Sequence, residues 1–402
     1  MYEKEYIRGS ILDRKGETLA WSEKAGGKRF YSTGPAASCI TGYYSIIYGT
    51  SGLESRYNPV LTHSASPGKN KKGADVTLTI DKDLQTLAYE QIKDFTGSVV
   101  VLDAADGEIL AMASSPSYDA GALEEKWQEY QERDGIFISN AFQNPVAPGS
   151  VFKLVTSKAV LEQHLENKKV KDRGSLKVNG QTIHNFKGIE HGTLDWEKGF
   201  IKSSNVYFMT MALKMGGQVL SDAAGDCLIG QDIPLDFTTL KSVWNMEDYE
   251  DNLVAATAFG QGNTLITPLH MAMITQSIAN DGKMMKPYLV RSVVNAKGKV
   301  LEKGKASKLT RTMAPETAKK IRKVMKKAGE SYGLDEIGER EYKIAAKTGT
   351  AQRGDGSNNA WLVTFAPAED PRYVIVVNRL KTKEIGKTLA PVAEVLYEKL
   401  LN

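Results

Sequence analysis

The sequence has little cysteine and histidine and no long apolar run. Its 402 residues include two cysteines, Cys39 and Cys227, and five histidines. Two distant cysteines provide neither a disulfide framework nor the ligand spacing of a zinc site, so we expect two free thiols, no metal and no cofactor. No uncharged apolar run reaches the ~18 residues that cross a bilayer, and no apolar core of a signal peptide is present. These features predict a soluble polypeptide.

An excess of one charge is also lacking. The 52 basic and 48 acidic residues give a formal net charge of +4, and neither sign forms long blocks. This balance does not favour nucleic acid as a partner. We find neither a G-x-x-x-x-G-K-[ST] loop nor a G-x-G-x-x-G turn after a strand, which disfavours a nucleotide-binding enzyme. The sequence contains no internal repeat of the kind that would predict a solenoid.

Turn residues and apolar patterns divide the chain into two parts. Residues 7–20 predict two short strands around a polar turn. A stretch rich in Pro, Gly and Lys at 67–73 predicts a boundary. We therefore predict a small, mainly β, non-catalytic region over residues 1–75 and a larger domain over residues 76–402.

The larger domain has signals for both strands and helices. Residues 97–114 predict a hairpin, and helices are predicted after Ser150 and over residues 267–280. His184 and His191 are assigned to another hairpin, without a catalytic role. The last third predicts three strands and a helix, over residues 342–347, 360–365, 373–380 and 389–401. Short turns between those strands favour antiparallel neighbours.

A serine and a lysine stand three positions apart in the apolar stretch VAPGSVFKLV, residues 146–155. Positions i and i+3 face the same side of a helix, so Lys153 is expected to reach Ser150. Burial and a second cation would lower the pKa of Lys153 and make its neutral amine a base for the serine hydroxyl. A second copy, Ser66-x-x-Lys69, lies in a Pro- and Gly-rich loop without a supporting helix, and we interpret it as a chance match.

Two further polar motifs follow along the chain. Ser-Ser-Asn at 203–205 offers a hydroxyl for proton relay and an amide for a substrate carbonyl, or alternatively a cap for a helix over 206–213. Lys-Thr-Gly-Thr at 347–350 places a positive charge, two hydroxyls and a glycine near the end of a strand, which suits a carboxylate. Ser-Asn-Asn at 357–359 lies in a Gly- and Asp-rich turn, and we predict a loop there.

In this order, Ser-x-x-Lys, Ser-x-Asn and Lys-Thr-Gly resemble the motifs of penicillin-binding proteins and serine β-lactamases. The segments at 8–14 (RGSILDR) and 48–54 (YGTSGLE), and GQG with TPL at 260–269, are similar to class B penicillin-binding proteins, the D,D-transpeptidases that cross-link peptidoglycan. RFYSTG at 29–34 and the compact N-terminal region most resemble the branch called penicillin-binding protein A.

The resemblance implies a fold and a reaction. The fold class is α/β (α+β): a transpeptidase domain of the penicillin-binding-protein and serine β-lactamase type, with a five-stranded antiparallel sheet flanked by helices, after the small β region. A peptidoglycan stem peptide ending in D-Ala-D-Ala would acylate the serine, and an acceptor amine would take the acyl group. Water in place of that amine would give a D,D-carboxypeptidase side activity. β-Lactam antibiotics would acylate the same serine.

The resemblance also implies a catalytic set. Ser150 would be the acylated nucleophile and Lys153 its base. Ser203 would relay the proton to the leaving amine, and Asn205 would bind the donor amide. Lys347 would add positive charge to the site.

The remaining implied contacts concern the substrate. Thr348 and Thr350 would hold its terminal carboxylate together with the lysine before them, and Gly349 would let it lie along the strand. Backbone N–H groups of Ser150 and Thr350 would form the oxyanion hole. Class B members often carry a His before the Ala-Trp of the next strand. This chain has asparagines at 358 and 359, so we assign no catalytic role there.

Two rival interpretations remain. A serine β-lactamase or β-lactam sensor would share the acylation step, but the chain length and N-terminal region argue against it, and no deacylating glutamate can be assigned. A non-catalytic scaffold of a cell-wall synthesis complex would have lost its site, whereas the three motifs are intact.

The resemblance also predicts a location and a partner. The substrate lies outside the cytoplasm, which implies the extracytoplasmic face of a bacterial cell membrane and an anchor that is missing from this chain. The ~75 residues before the transpeptidase domain are too few for a glycosyltransferase domain of ordinary size. A separate membrane glycosyltransferase is therefore the expected partner.

Overall fold

The computed structural model describes residues 6–62, 72–246, 248–334 and 341–402. The second Ser-x-x-Lys match, Ser66 to Lys69, and residues 67–71 of the predicted boundary lie outside these ranges. In the described ranges no helix is long and apolar enough to cross a membrane. Cys39 and Cys227 are free thiols, the first partly buried and the second buried.

The strands of the described residues form two larger sheets and four two-stranded ones. In chain order they are β1 (Ile11–Leu12), β2 (Thr18–Ser22), β3 (Arg29–Tyr31), β4 (Tyr44–Ser45), β5 (Gly49–Thr50), β6 (Asp75–Leu78), β7 (Gly97–Asp103), β8 (Ile109–Ser115), β9 (Val170–Asp172), β10 (Ser175–Val178), β11 (Gln181–His184), β12 (Gly192–Leu194), β13 (Lys283–Met285), β14 (Val290–Val294), β15 (Val300–Lys303), β16 (Lys308–Arg311), β17 (Ala345–Gln352), β18 (Asn358–Ala366) and β19 (Tyr373–Thr382).

Helices surround the sheets. In chain order they are α1 (Ser38–Thr41), α2 (Gly52–Arg56), α3 (Asn58–Thr62), α4 (Lys82–Glu90), α5 (Leu123–Gln131), α6 (Lys153–Glu162), α7 (Trp196–Ile201), α8 (Asn205–Met215), α9 (Gly217–Asp226), α10 (Asp251–Thr257), α11 (Pro268–Ala279), α12 (Pro315–Tyr332) and α13 (Ala390–Leu401). The helices predicted after Ser150, over 267–280 and over 389–401 correspond to α6, α11 and α13.

The predicted five-stranded antiparallel sheet is present, with strand order β17-β18-β19-β7-β8. Its inner strands are buried on both faces, because helices cover each side. Side chains therefore alternate between two cores. Val99 and Val101 of β7 pack with α4 and α13, whereas Val100 and Leu102 pack into the larger core that contains α6 and α11. The predicted hairpin at 97–114 forms β7 and β8.

The second large sheet has the order β15-β14-β6-β1-β2-β3. Strand β6 pairs in parallel with β1 and antiparallel with β14. The N-terminal β region therefore shares its sheet with β14 and β15, which lie more than halfway along the chain. The predicted boundary between residues 75 and 76 falls inside β6, and the division of the chain at that point stays a prediction.

A buried ion cluster joins the N-terminal segments that carry the family resemblance. The carboxylate of Glu54 accepts hydrogen bonds from Arg8 Nε at 2.7 Å and Arg29 Nε at 2.6 Å. Arg8 also donates to Asn58 Oδ1 at 2.6 Å. Because all three charged side chains are buried, each needs the others. The segments at 8–14, 29–34 and 48–54 are thus three parts of one contact.

Three sequence predictions were wrong in part. The strand predicted over 342–347 is β17 (Ala345–Gln352), so the Lys-Thr-Gly-Thr motif lies within the strand and not near its end. Asn358 and Asn359 do not lie in a loop but begin β18, where they pair with Gln352 and Ala351 of β17. A turn is present at residues 354–357, but it is shorter than predicted, since cross-strand hydrogen bonds extend both strands towards it. Similarly, His184 ends β11 of the β10-β11 hairpin, whereas His191 lies outside it, directly before β12.

Candidate active site

Ser150 lies in a short 3-10 turn, Gly149–Phe152, that leads directly into α6. In a 3-10 turn side chains at i and i+3 eclipse each other. The Nζ atom of Lys153 accordingly lies 3.0 Å from Ser150 Oγ. The turn also needs glycine at 149, where φ is +56° and a Cβ would come within 2.9 Å of the Ala351 backbone nitrogen. The serine is therefore held close to β17.

The amine of Lys153 is fully buried and contacts two groups that can only accept hydrogen bonds. It donates to the backbone carbonyl of Ser203 at 2.7 Å and to Asn205 Oδ1 at 2.8 Å. The Asn205 amide is oriented by its own donation to the carbonyl of His184 at 3.0 Å. A neutral amine has two N–H groups, which these acceptors occupy. Its lone pair is then left for the hydroxyl of Ser150.

The pKa of Lys153 favours that neutral form. Burial lowers this pKa well below the ordinary lysine value, and the positive charge of Lys347 lowers it further, while Asp172 acts in the opposite direction. Lys158 on the same helix makes the contrast clear. Burial lowers its pKa too, but hydrogen bonds to Asp226 and Glu162 outweigh that effect and leave it raised. A buried lysine on α6 is thus cationic where carboxylates pair with it, and among the described residues no carboxylate pairs with Lys153.

A second buried lysine, Lys347 on β17, reaches the same place. Its Nζ donates to Ser203 Oγ at 3.0 Å and to the carbonyl of Thr348 at 3.0 Å. The rings of Phe200 and Tyr332 lie 5.6 and 5.9 Å from it, within cation–π range. The hydroxyl of Ser203 therefore lies between the two amines.

The loop between α7 and α8 presents Ser203 to the lysines. Ser203 has a φ of +53°, a left-handed conformation that is strained for a serine. The next residue, Ser204, caps α8 by accepting a hydrogen bond from the Tyr207 backbone N–H at 2.9 Å. The helix-cap alternative for the Ser-Ser-Asn motif is thus realised by its middle residue, whereas Ser203 contacts both lysines and Asn205 contacts Lys153. The roles of Ser203 and Asn205 in proton relay and substrate binding stay predictions.

Behind this loop lie two residues that the sequence analysis missed. Ser204 Oγ donates to Asp172 Oδ2 at 2.5 Å, and Asn185 Nδ2 donates to the same carboxylate at 2.8 and 2.9 Å. Asn185 Oδ1 in turn accepts from the Asn205 backbone N–H at 2.8 Å. Asp172 and Asn185 are buried. No local pattern could have identified them, because they come from β9 and from the segment after β11.

Gly349 packs against the turn that carries Ser150. A Cβ on Gly349 would come within 2.9 Å of the Pro148 carbonyl and 3.1 Å of Val151 Cγ1. On its other side, a Cβ on Gly386 would lie 2.6 Å from the carbonyl of Gly349. The predicted role of Gly349 beside a substrate stays a prediction, and the structure adds a packing requirement at the same position.

Two further contacts hold the Ser150 turn. The indole Nε1 of Trp361 on β18 donates to the carbonyl of Ala147 at 3.0 Å. On the opposite side, the backbone N–H of Gly149 donates to the carbonyl of Gly260 at 2.9 Å. A Cβ on Gly260 would lie 2.0 Å from the Gly149 carbonyl oxygen, which explains a glycine in the GQG segment.

A cleft of about 710 Å³ opens above these residues. The structure brings together all eight predicted site residues: Ser150, Ser203, Asn205, Thr348, Gly349 and Thr350 line the cleft, with Lys153 and Lys347 buried behind it. Among the described residues that line it, none is acidic, whereas Lys187, Lys202, Lys387, His184 and His191 are basic. The cleft thus suits an anionic ligand.

The arrangement can perform acyl transfer. It offers a hydroxyl nucleophile, a neutral amine at hydrogen-bond distance, and a second hydroxyl that can pass a proton between them and a leaving group. Within the described part of the chain, no group of three or more His, Cys, Asp or Glu side chains is placed to hold a metal ion.

Comparison with known families matches most of the chain. Residues 97–398 match the penicillin binding protein transpeptidase domain, and residues 8–77 match the penicillin binding protein A dimerisation domain. Among curated proteins, the peptidoglycan D,D-transpeptidase PbpA of Mycolicibacterium smegmatis is 29% identical over 414 residues, covering 92% of this chain and 83% of that protein.

Solved structures extend the likeness to the whole fold. The D,D-transpeptidase domain of a peptidoglycan glycosyltransferase from Eggerthella lenta is 30% identical, with a TM-score of 0.90 over 99% of this chain and 100% of that one. Penicillin-binding protein A of Mycobacterium tuberculosis, solved as a ceftriaxone acyl-enzyme complex, is 26% identical, with a TM-score of 0.93 over 100% of this chain and 99% of that one.

Proposed function

The chain belongs to the penicillin-binding protein transpeptidase family as a serine-type peptidoglycan D,D-transpeptidase, and we propose that Ser150 carries its acyl group with Lys153 as base. The resemblance to class B penicillin-binding proteins of the A branch is thereby confirmed, whereas the roles of individual residues are proposals. The observation that supports them best is the buried amine of Lys153, which lies 3.0 Å from Ser150 Oγ and has no carboxylate partner in the described part of the chain.

In the proposed acylation step, Ser150 Oγ attacks the carbonyl carbon between the last two D-alanines. Its proton passes to the neutral amine of Lys153. The tetrahedral oxyanion is bound by the backbone N–H groups of Ser150 and Thr350. The C–N bond then breaks, and the proton reaches the leaving D-alanine amine through Ser203. The stem peptide remains as an ester on Ser150.

In the second step the amine of an acceptor stem peptide attacks this ester. Lys153 takes the proton that the amine loses, the C–O bond to Ser150 breaks, and the serine regains a proton. Lys347, Thr348 and Thr350 hold the terminal carboxylate of the donor before acylation, and Asn205 binds its amide. A β-lactam follows the first step only, because its opened ring stays attached and blocks the acceptor.

The rival β-lactamase function would require rapid hydrolysis of the same ester. A class A enzyme uses a glutamate and a water for this step. Among the described residues lining the cleft there is no Asp or Glu, which supports a long-lived acyl-enzyme. The scaffold alternative is disfavoured by the complete set of contacts among Ser150, Lys153 and Ser203.

Three finer features are also part of the proposal. The protein acts outside the cytoplasm, and we infer that it is attached to the outer face of the cell membrane. A separate membrane glycosyltransferase supplies the glycan strands. Residues 1–75 form a non-catalytic region, and residues 76–402 contain the transpeptidase. The support for these features is the family resemblance and the location of the substrate.

The experiment that tests the function supplies a donor peptide ending in D-Ala-D-Ala together with an amine acceptor. Wild-type protein should release D-alanine and form the cross-linked peptide, as followed by liquid chromatography and mass spectrometry. A folded Ser150→Ala variant should form neither product. Rapid turnover of penicillin without a cross-linked product would instead identify a β-lactamase.

A further inference from the structure

Close behind the site lies the buried carboxylate of Asp172, which the proposed reaction does not use. Asp172 is 1% exposed. Its oxygens accept hydrogen bonds from Ser204 Oγ, from Asn185 Nδ2 and, at 2.8 Å, from the backbone N–H of Gly174. Several hydrogen-bond donors offset the cost of burying a carboxylate.

Two of these three donors to Asp172, Ser204 and Asn185, lead to the Ser-Ser-Asn motif. Ser204 stands between Ser203 and Asn205 and is the cap of α8. Asn185 accepts from the backbone N–H groups of Asn205 and Val206 at 2.8 and 3.1 Å. Asp172 thus fixes the loop from behind, and the loop presents its two functional side chains to Lys153.

The charge of Asp172 also acts on the amine of Lys153. The charged groups that influence Lys153 are Lys347, which lowers its pKa, and Asp172, which raises it. Two buried lysines without any negative charge would be costly. The carboxylate of Asp172, behind the loop that carries Ser203 and Asn205, can offset part of this cost. Because it does not pair directly with Lys153, it does not keep that amine protonated.

We propose that Asp172 is a positioning residue of this site, which holds Ser203 and Asn205 against the lysines through Ser204 and Asn185 and places a negative charge near Lys153. This inference rests on the proposed function. Its test therefore needs variants that separate the charge of Asp172 from its hydrogen bonds, and a readout that a merely structural residue would not move.

The experiment measures the rate of acylation by benzylpenicillin against pH for wild type and for Asp172→Asn, Asp172→Glu and Ser204→Ala, each with its melting temperature. All three variants should acylate about 10- to 100-fold more slowly at the plateau, because a small displacement of the loop misaligns the relay. At acidic pH the acylation rate rises with pH, and we call this part of the profile the acidic limb. Only Asp172→Asn should also shift the acidic limb to lower pH, since loss of the negative charge lowers the pKa of Lys153. Asp172→Glu and Ser204→Ala keep the charge and should keep the limb.

Two outcomes would overturn the proposal. A folded Asp172→Asn variant with the wild-type limb would show that its charge does not act on Lys153. A folded Ser204→Ala variant with the wild-type plateau would show that the hydrogen bond does not position the loop, and this result stands even if Asp172→Asn does not fold. Absence of acylation in the wild type would instead contradict the proposed function itself.

A separate observation concerns the mouth of the cleft. Three exposed lysines line it from different walls, and we call them the cleft lip: Lys187, Lys202 and Lys387. Lys202 directly precedes Ser203, and Lys387 directly follows Gly386, which packs on Gly349. Within the described residues none of the three forms an ion pair, although many other surface lysines do.

We infer that the cleft lip binds a second carboxylate of the stem peptide, in addition to its terminal one. A cleft lined by charges of one sign attracts a ligand of the opposite sign and speeds its association. The favoured donor is then a stem peptide with a free carboxylate upstream of D-Ala-D-Ala, rather than one in which that group is amidated. This inference also rests on the proposed function.

Carbenicillin and benzylpenicillin form a matched pair of probes, because they differ by one carboxylate on the acyl side chain. The acylation rate constant of carbenicillin divided by that of benzylpenicillin should fall about twofold for each of Lys187→Gln, Lys202→Gln and Lys387→Gln. At low salt it should fall roughly tenfold for the triple variant. Lys303→Gln, an exposed lysine on the distant strand β15, is the control and should keep the ratio. An unchanged ratio in the triple variant would overturn this inference, whereas failure of both drugs to acylate the wild type would contradict the proposed function.

Discussion

The side chains of Lys153 and Lys347 converge on one atom, the Oγ of Ser203, from which their amines lie 3.2 and 3.0 Å. Both lysines are fully buried. Two cations this close repel each other, so the pKa of Lys153 is lowered by its neighbour as well as by burial. The pair therefore provides one amine as a base while the other supplies positive charge.

The first prediction concerns pH. Protonated Lys153 cannot accept the serine proton, so the acylation rate should rise with pH through the pKa of Lys153. Because this pKa is lowered, the midpoint should lie well below the ordinary lysine value of 10.5. Lys347→Ala removes the neighbouring charge and should move the midpoint to higher pH. Stopped-flow acylation by a chromogenic cephalosporin measures the midpoints of wild type and Lys347→Ala. A wild-type midpoint near 10.5 would rule out a neutral Lys153 amine as the base at neutral pH.

The second prediction separates the hydroxyl of Ser203 from its backbone. Ser203→Ala and Ser203→Gly both remove the relay and should slow acylation about 10²-fold. The glycine variant should be more stable than the alanine variant by roughly 1 kcal/mol, since only glycine adopts a positive φ without strain. Urea unfolding and penicillin labelling together check this. Equal stability of the two variants would argue against backbone strain at Ser203.

The third prediction tests the packing of β17 on the serine turn. Gly349→Ala would place a Cβ within 2.9 Å of the Pro148 carbonyl, so it should cost about 1–3 kcal/mol and slow acylation at least tenfold. Gly354→Ala is the matched control, because its Cβ would meet nothing within 4 Å. That variant should stay within about 0.5 kcal/mol of wild type. If both variants behaved alike, the close approach would not matter.

The fourth prediction concerns the ion cluster of the N-terminal region. Glu54→Gln leaves the buried guanidinium groups of Arg8 and Arg29 without a counter-charge and should destabilise the protein by about 3–5 kcal/mol. Glu90→Gln breaks an ion pair with Lys93 in which both side chains are nearly half exposed, and should change stability by less than about 1 kcal/mol. Denaturant midpoints with unchanged slopes would make the comparison valid. A small effect of Glu54→Gln would mean that water replaces the lost charge.

Much of the site could be predicted from short patterns. Ser150 and Lys153 are three residues apart in an apolar segment, and a single turn brings them together. Motif order and the family resemblance were needed to predict Ser203, Asn205 and Lys347 as site residues, because nothing local indicates that β17 and the α7-α8 loop face the same helix.

Asp172 and Asn185 could not be predicted, since their function depends on contacts across several elements and neither belongs to a recognisable motif. For the same reason the composition of the N-terminal sheet could not be predicted, since β14 and β15, which complete it, come from far along the chain. Strand ends at Asn358 and Asn359 were misjudged because pairing with β17 decides them, and pairing is not a local property.

The measurement that tests the central claim most directly is intact-protein mass spectrometry after incubation with benzylpenicillin, followed over hours and combined with peptide mapping. We predict a stable adduct of one drug molecule per chain, located on Ser150. It should be absent from a folded Ser150→Ala variant and nearly absent from a folded Lys153→Ala variant. An adduct on another residue, or normal labelling of Lys153→Ala, would contradict an acyl-enzyme formed at Ser150 with Lys153 as its base.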